Sequence, residues 1–150
     1  MKKVYKHKLF AFDTYLGRVD EDGKVYRCTE PRKPEHYVGR VELNSGKVFD
    51  TATGPEKYIG RVELASGKVF VARINNEEEY AGRVTDKGRF YHHKRLARDN
   101  YIGKIKDMMS FAFGGAAFLL LAFPTFEAEQ AAKAAAKKAE AAPKIEAPKK

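Results

Sequence analysis

The chain has 150 residues, of which 29 are Lys or Arg and 20 are Asp or Glu, so its formal net charge is +9. This length fits one domain, and the positive balance suits an anionic partner without naming one. The single cysteine, Cys28, excludes an intramolecular disulfide framework and a cysteine-rich metal site.

Five copies of one short motif occupy the first two thirds of the chain. The motif is Tyr-x-Gly-Arg-Val, altered to Tyr-Ile-Gly-Lys-Ile in the last copy, and its tyrosines are separated by 22, 21, 22 and 21 residues. The copies begin at Tyr15, Tyr37, Tyr58, Tyr80 and Tyr101. Such a regular period predicts a repeat architecture.

Each copy has the pattern of a β-hairpin. Alternating residues predict a strand with Tyr, Gly and Val on one face and Arg with the following acid on the other. A short polar turn ending in Gly follows, and then a return strand such as Lys68-Val69-Phe70. Glycine at the end of the turn supplies the positive φ that a tight hairpin needs.

The fifth copy lacks a return strand, and the N-terminus supplies a matching one. Lys3-Val4-Tyr5-Lys6 resembles Lys24-Val25-Tyr26-Arg27 and lies one repeat period before it. Pairing of residues 3–8 with 101–106 would close the sheet and remove its exposed edges. We therefore predict an all-β fold, a closed shallow barrel of about five hairpins over residues 1–106. One hydrophobic helix at 107–126 and a Lys/Ala-rich tail at 127–150 follow it.

The apolar run at 108–126 contains no charged residue, and its length falls within the range of a membrane span. As a helix it would be about 28 Å long, longer than strands of six residues cover. This mismatch favours a single-pass membrane helix, with Gly114-Gly115 available to a partner helix. Flanking Lys and Arg favour a cytoplasmic β domain. The alternative is a soluble cytoplasmic protein whose helix lies inside the barrel.

The tail has Glu early and Lys late in an Ala-rich run, which suits a helix. Two interpretations remain open: a solvated helix that continues beyond a kink at Pro124, or a disordered segment. Pro143 is expected to end any such helix.

The Tyr-x-Gly-Arg-Val hairpins with Gly-Lys-Val-Phe returns resemble the β-flower families, whose petals form a shallow closed barrel similar in shape to the tubby C-terminal-like fold. Membrane-occupation repeats resemble the motif less well, because their later glycines are missing here. The β-flower resemblance implies a fold rather than an activity. Tubby-like relatives bind phosphoinositides or act at membranes, and a C-terminal hydrophobic helix threads their barrel. The lipid-binding residues of those relatives cannot be transferred to this chain.

One glycine recurs at the same strand position in all five copies. These residues form a predicted glycine ring of Gly17, Gly39, Gly60, Gly82 and Gly103. Glycine in a strand marks a tight bend or a close approach of other atoms. The ring is therefore interpreted either as barrel curvature or a tyrosine packing over bare backbone, or as space for a central helix or ligand.

A cation follows each of these glycines. The predicted cation ring consists of Arg18, Arg40, Arg61, Arg83 and Lys104. Asp20, Glu42 and Glu63 lie two residues further on, which predicts ion pairing on a solvated surface. The alternative is a site for an anionic headgroup. Arg83 and Lys104 lack such an acid, so uncompensated charge is expected there.

No residue pattern predicts a catalytic or metal site, and no cofactor is expected. His92 and His93 are interpreted as a strand end or loop, and the basic cluster from His92 to Arg98 also fits a patch that touches anionic lipid. We predict a non-enzymatic, membrane-tethered binding or scaffolding module. Membrane lipid is the expected partner, a protein partner through the tail or helix is a further one, and nucleic acid is not expected. The alternative is a soluble tubby-like barrel that binds a lipid or small ligand, with the apolar helix threading its centre.

Overall fold

The computed structural model describes the chain except residues 1, 8–12, 29–33, 52–53, 74, 76, 95 and 147–150, and it describes only the backbone of residues 137–146. The strands are β1 Lys2–Lys6, β2 Thr14–Val19, β3 Lys24–Arg27, β4 His36–Val41, β5 Lys47–Asp50, β6 Lys57–Val62, β7 Lys68–Ala72, β8 Glu78–Val84, β9 Arg89–His92 and β10 Asn100–Ile105. They are followed by helix α1 Phe111–Ala117, a π-helical turn Phe118–Ala122 and helix α2 Phe123–Glu146.

The ten strands form a closed antiparallel barrel in which neighbours in sequence are neighbours in space. β1 pairs with β10, placing Val4 opposite Ile105 and Tyr5 opposite Lys104, so the predicted closure through the N-terminus is confirmed. The turn glycines have φ between 80° and 90°, as expected for the tight hairpins. The hairpin turns lie at one end of the barrel, called the turn end. The connections between hairpins lie at the other, called the linker end.

Each motif strand contains a β-bulge that overturns part of the predicted face pattern. In β6, for example, Gly60 pairs with Val48 and Tyr58 pairs with Phe49, so Ile59 has no partner across the ladder. An extra residue of this kind shifts the alternation by one position. The residue between Tyr and Gly therefore faces inward, and the tyrosine lies on the outer face instead of sharing the glycine's face.

The apolar helix fills the barrel. Residues 112–123 are all buried, and Phe118 and Leu121 are fully so. They form one core with the inward valines of the strands, such as Val62 and Val84. Gly114 and Gly115 contact these valines: a Cβ on Gly115 would lie 2.3 Å from the Cβ of Val62. The partner surface for these two glycines is thus the barrel wall.

The length mismatch that favoured a membrane span disappears in the structure. The helix begins only at Phe111, and residues 112–123 span about 18 Å, close to the roughly 20 Å of a six-residue strand. Met109 precedes the helix and is 85% exposed, whereas residues 124–126 are half-buried. Over Phe111–Ala136 the helix is long and apolar enough to cross a membrane, and 67% of its apolar window is buried.

The helix continues through Pro124, and side chains bind backbone carbonyls close to the missing N–H of this proline. Proline cannot donate to the carbonyl four residues earlier, which here belongs to Leu120. The guanidinium of Arg27 donates to that oxygen at 3.1 Å, and the hydroxyl of Thr125 donates to the carbonyl of Leu121 at 2.8 Å. The helix then continues to Glu146, three residues beyond Pro143, where its end was predicted.

Candidate functional site

The glycine ring lies on the inner side of the bulges, where it allows both the curvature of the barrel and the approach of the central helix. A Cβ at any of the five positions would meet a backbone carbonyl oxygen of the adjacent return strand at 2.0 to 2.5 Å. Helix side chains press on three of them: Leu120 at Gly39, Leu119 at Gly60 and Phe118 at Gly82. Bare backbone is thus needed for the bend of the sheet and for the approach of the central helix. The space that the ring provides is occupied by this chain's own side chains.

The cation ring lies on the outer face, and each member stacks on an aromatic ring of the neighbouring return strand. The guanidinium of Arg61, for instance, lies 4.4 Å from the centroid of the Phe70 ring. The motif tyrosine of the next repeat packs on the other side of this aromatic, with Tyr80 at 5.7 Å from Phe70. The equivalent cation and aromatic pairs are Arg18 with Tyr26, Arg40 with Phe49, Arg83 with Tyr91 and Lys104 with Tyr5.

A ring of carboxylates, which the sequence analysis missed, neutralises these cations. Four of the acids come from the linker before the next repeat, and Glu78 is the first residue of β8. Arg40 donates from Nε and a terminal nitrogen to Glu56, both at 2.7 Å, in a bidentate arrangement. Lys104 of the last repeat lies 3.3 Å from Asp13, which precedes the first repeat, so the ion pairs form a complete ring. The acid ring consists of Asp13, Glu35, Glu56, Glu78 and Asp99.

The sequence contained a signal for this ring. Every one of these acids lies two residues before a motif tyrosine, as Glu56 does before Tyr58. The partners predicted two residues after Arg40 and Arg61 are more distant: these arginines lie 3.9 Å from Glu42 and Glu63. Arg18 does contact Asp20 closely.

The expectation of uncompensated charge at Arg83 and Lys104 is wrong. Arg83 lies 3.6 Å from Asp99, and Lys104 has Asp13. Their partners come from linkers, so a search along the same strand could not find them. These contacts are longer than the bidentate pair of Arg40, and Arg83 is 43% exposed whereas Arg18 is 18% exposed.

The strand register explains why an acid ring is needed. Each member of the cation ring faces a second cation across the ladder, as Arg40 faces Lys24 and Arg61 faces Lys47. Like charges directly opposite each other destabilise a sheet. Hydrogen bonds from the guanidinium of Arg18 and Arg40 hold the pKa values of Glu35 and Glu56 below their ordinary 4.5. These carboxylates therefore stay ionised over the cations, which leaves little capacity for an external anionic headgroup at the ring.

The two adjacent histidines point in different directions, as expected for a strand end. His92 packs between the rings of Phe123 and Phe126, at 5.5 and 4.6 Å, where burial lowers its pKa. His93 packs on Tyr80 and lies 3.4 Å from Asp99. Among the described residues, no group of three or more His, Cys, Asp or Glu side chains could hold a metal ion.

Where the helix leaves the barrel, at the linker end, clefts of about 220, 290 and 370 Å³ surround its first exposed turns. The smallest is lined by His92, Arg73 and Glu127, and Arg73 is already paired with Glu79 at 2.7 Å. Beyond this point the helix projects as an arm, residues 127–146, and its described side chains to Ala136 are exposed except that of Glu129, which pairs with Lys6.

No protein-family model, curated protein or solved structure matches the chain. The resemblance to the β-flower families therefore stays a prediction that rests on the repeat motif.

Proposed function

We propose that this chain is a non-enzymatic binding or scaffolding module, a barrel that its own helix fills and that presents the arm and the linker end to a partner. The observation that carries the proposal is the burial of residues 112–123 inside the barrel. With the interior occupied, recognition takes place on the outside. A carrier that holds a lipid or small ligand inside the barrel would need the helix to leave first.

The arm supports a role in binding. An Ala-rich helix without an apolar stripe has no apolar face to bury against the barrel, and isolated helices of moderate length are only marginally stable in water. Here the buried segment nucleates the helix, which then carries exposed Lys and Glu side chains away from the barrel. Such a projection suits contact with a protein partner or connection to one.

Membrane insertion of the same helix is the competing hypothesis, and it is favoured by length and composition. Insertion would remove the helix from the barrel and expose inward side chains such as Val48 and Phe90, both fully buried in the filled barrel. Burial of one such side chain contributes about 1.5 to 3 kcal/mol, so emptying the barrel is costly. We therefore propose that the functional form is the barrel with the helix inside.

Detergent-free extraction of the full chain tests this choice. The filled barrel should be recovered in the soluble fraction, and in that fraction a cysteine at the fully buried Ala117, in a Cys28→Ser background, should resist maleimide until the protein is denatured. The matched control is a cysteine at Ala131 on the exposed arm, which should react at once. Recovery only with detergent would favour the membrane span and contradict the filled barrel.

Photo-crosslinking in cells tests the binding role itself. A crosslinker at Gln130 on the arm should give a discrete adduct, whereas the same crosslinker at Asn44 in a hairpin turn should not. A scan of the arm and the outer surface without a discrete adduct at any position would refute a binding or scaffolding role.

A further inference from the structure

The connection between β9 and β10 carries an unusual combination of exposed residues. Leu96 is 98% exposed, the most exposed of the large apolar side chains in the described part of the chain. Its backbone has φ of 60°, a conformation uncommon for a residue with a bulky side chain. The side chain of Leu96 is therefore available for contact with an apolar phase.

Cations flank this leucine on both sides. Lys94 and Arg98 are exposed, and neither forms an ion pair with any described residue. The nearest acid in the connection, Asp99, is engaged by Arg83 at 3.6 Å and by His93 at 3.4 Å. The charge of Lys94 and Arg98 is thus available to a partner, in contrast to the neutralised cation ring.

Aromatic and basic side chains also lie on the surface next to this connection. β10 pairs with β1, and the ring of His7 at the end of β1 lies 4.3 Å from that of Tyr101. Lys133 on the arm lines the cleft of about 290 Å³ beside these two residues.

We propose that Lys94, Leu96 and Arg98 form a contact site for an anionic lipid surface, in which the leucine inserts among the acyl chains and the two cations bind headgroup phosphates. An apolar side chain between cations matches the boundary between headgroups and acyl chains. A nucleic acid would use the cations but would give the leucine no apolar phase to enter. The site rests on the proposed function only in requiring that the folded, helix-filled barrel binds a partner with its outer surface.

Co-sedimentation of the full chain with vesicles tests the site. The protein should bind phosphatidylcholine vesicles that contain phosphatidylserine and should not bind vesicles of phosphatidylcholine alone. Lys94→Glu/Arg98→Glu should weaken binding by more than about tenfold, since each cation near an anionic surface contributes about fivefold. Leu96→Ser should weaken it by about tenfold through loss of the inserted side chain.

The turn end of the barrel offers matched controls. Met109 is also exposed, at 85%, and also has a positive φ, of 67°. Met109→Ser should leave vesicle binding unchanged, and so should Lys47→Glu/Lys68→Glu, which changes the net charge by the same amount. Near-ultraviolet circular dichroism of every variant verifies that the barrel is folded.

Three results would overturn the site. The first is absence of binding by the wild-type chain, and the second is an equal loss in both charge-reversal variants, which would indicate diffuse attraction by net charge. The third is binding of RNA or DNA that depends on Lys94 and Arg98 but not on Leu96. None of these results bears on the protection of a cysteine at Ala117, so a failed lipid site and a failed helix-filled barrel are distinguishable.

Discussion

The outer face of the barrel repeats the same contacts in all five repeats, whereas the inner face does not. Outside, every repeat makes the same contacts: a cation stacked on an aromatic and bound to the acid of the next repeat. Inside, one helix that does not repeat must fill a space lined by five similar strands, so Phe118, Leu119 and Leu120 meet three different members of the glycine ring. Symmetry is therefore kept where charges pair with their neighbours and is lost where volume must be filled.

The largest expected effect comes from comparing an inner with an outer phenylalanine. Phe118 is fully buried against Phe90, at 5.9 Å between ring centroids. Phe118→Ala should lower the free energy of unfolding by about 3 to 5 kcal/mol through loss of burial and an unfilled cavity. Phe70→Ala on the outer face should cost less, roughly 1 to 2 kcal/mol, because it removes the pair with Tyr80 and the stacking of Arg61 from a half-buried position. Urea unfolding of both variants measures the difference, and equal losses would contradict a core that depends on the helix.

A second prediction concerns the contact that joins the strands to the helix. Arg27→Ala should lower the free energy of unfolding by about 1 to 3 kcal/mol, because it removes the donor to the carbonyl of Leu120. In a Pro124→Ala background the new backbone N–H can donate to that carbonyl, so the same Arg27 substitution should cost less. A double-mutant cycle measures the coupling, expected at about 0.5 to 3 kcal/mol. Strict additivity would show that Arg27 does not compensate for the proline.

The smallest effect tests the outer face through pH. The folded-state pKa values of Glu35 and Glu56 are lowered from 4.5 by their arginine partners, so their contribution is present above pH 4.5. It is lost as the pH falls through the lowered values, because protonation then favours the unfolded chain. Glu35→Gln/Glu56→Gln should therefore flatten the acid side of the stability profile. Lys87→Gln in an exposed turn is the control, and a double variant with the wild-type slope would refute a role for the pairs.

Local pattern predicted much of this architecture. The spacing of the tyrosines gave the hairpins, and Lys3-Val4-Tyr5-Lys6 identified the strand that closes the barrel, because strand pairing repeats the same residue types. The face of the tyrosines was predicted incorrectly. A bulge arises from the pairing of two strands, so the sequence of one strand alone does not show it. The acid ring was overlooked although its spacing is regular, since its partners belong to different repeats.

The sequence by itself determined the strands, their turns and the order in which they close, because these depend on neighbours along the chain and on a repeated register. Only the tertiary structure decided where the apolar helix lies. An uncharged segment satisfies the interior of a barrel and the interior of a bilayer by the same physics, removal of apolar surface from water. The choice depends on a fit of length and volume: twelve buried helical residues, 112–123, match the height of the barrel, and the glycine ring leaves room for them.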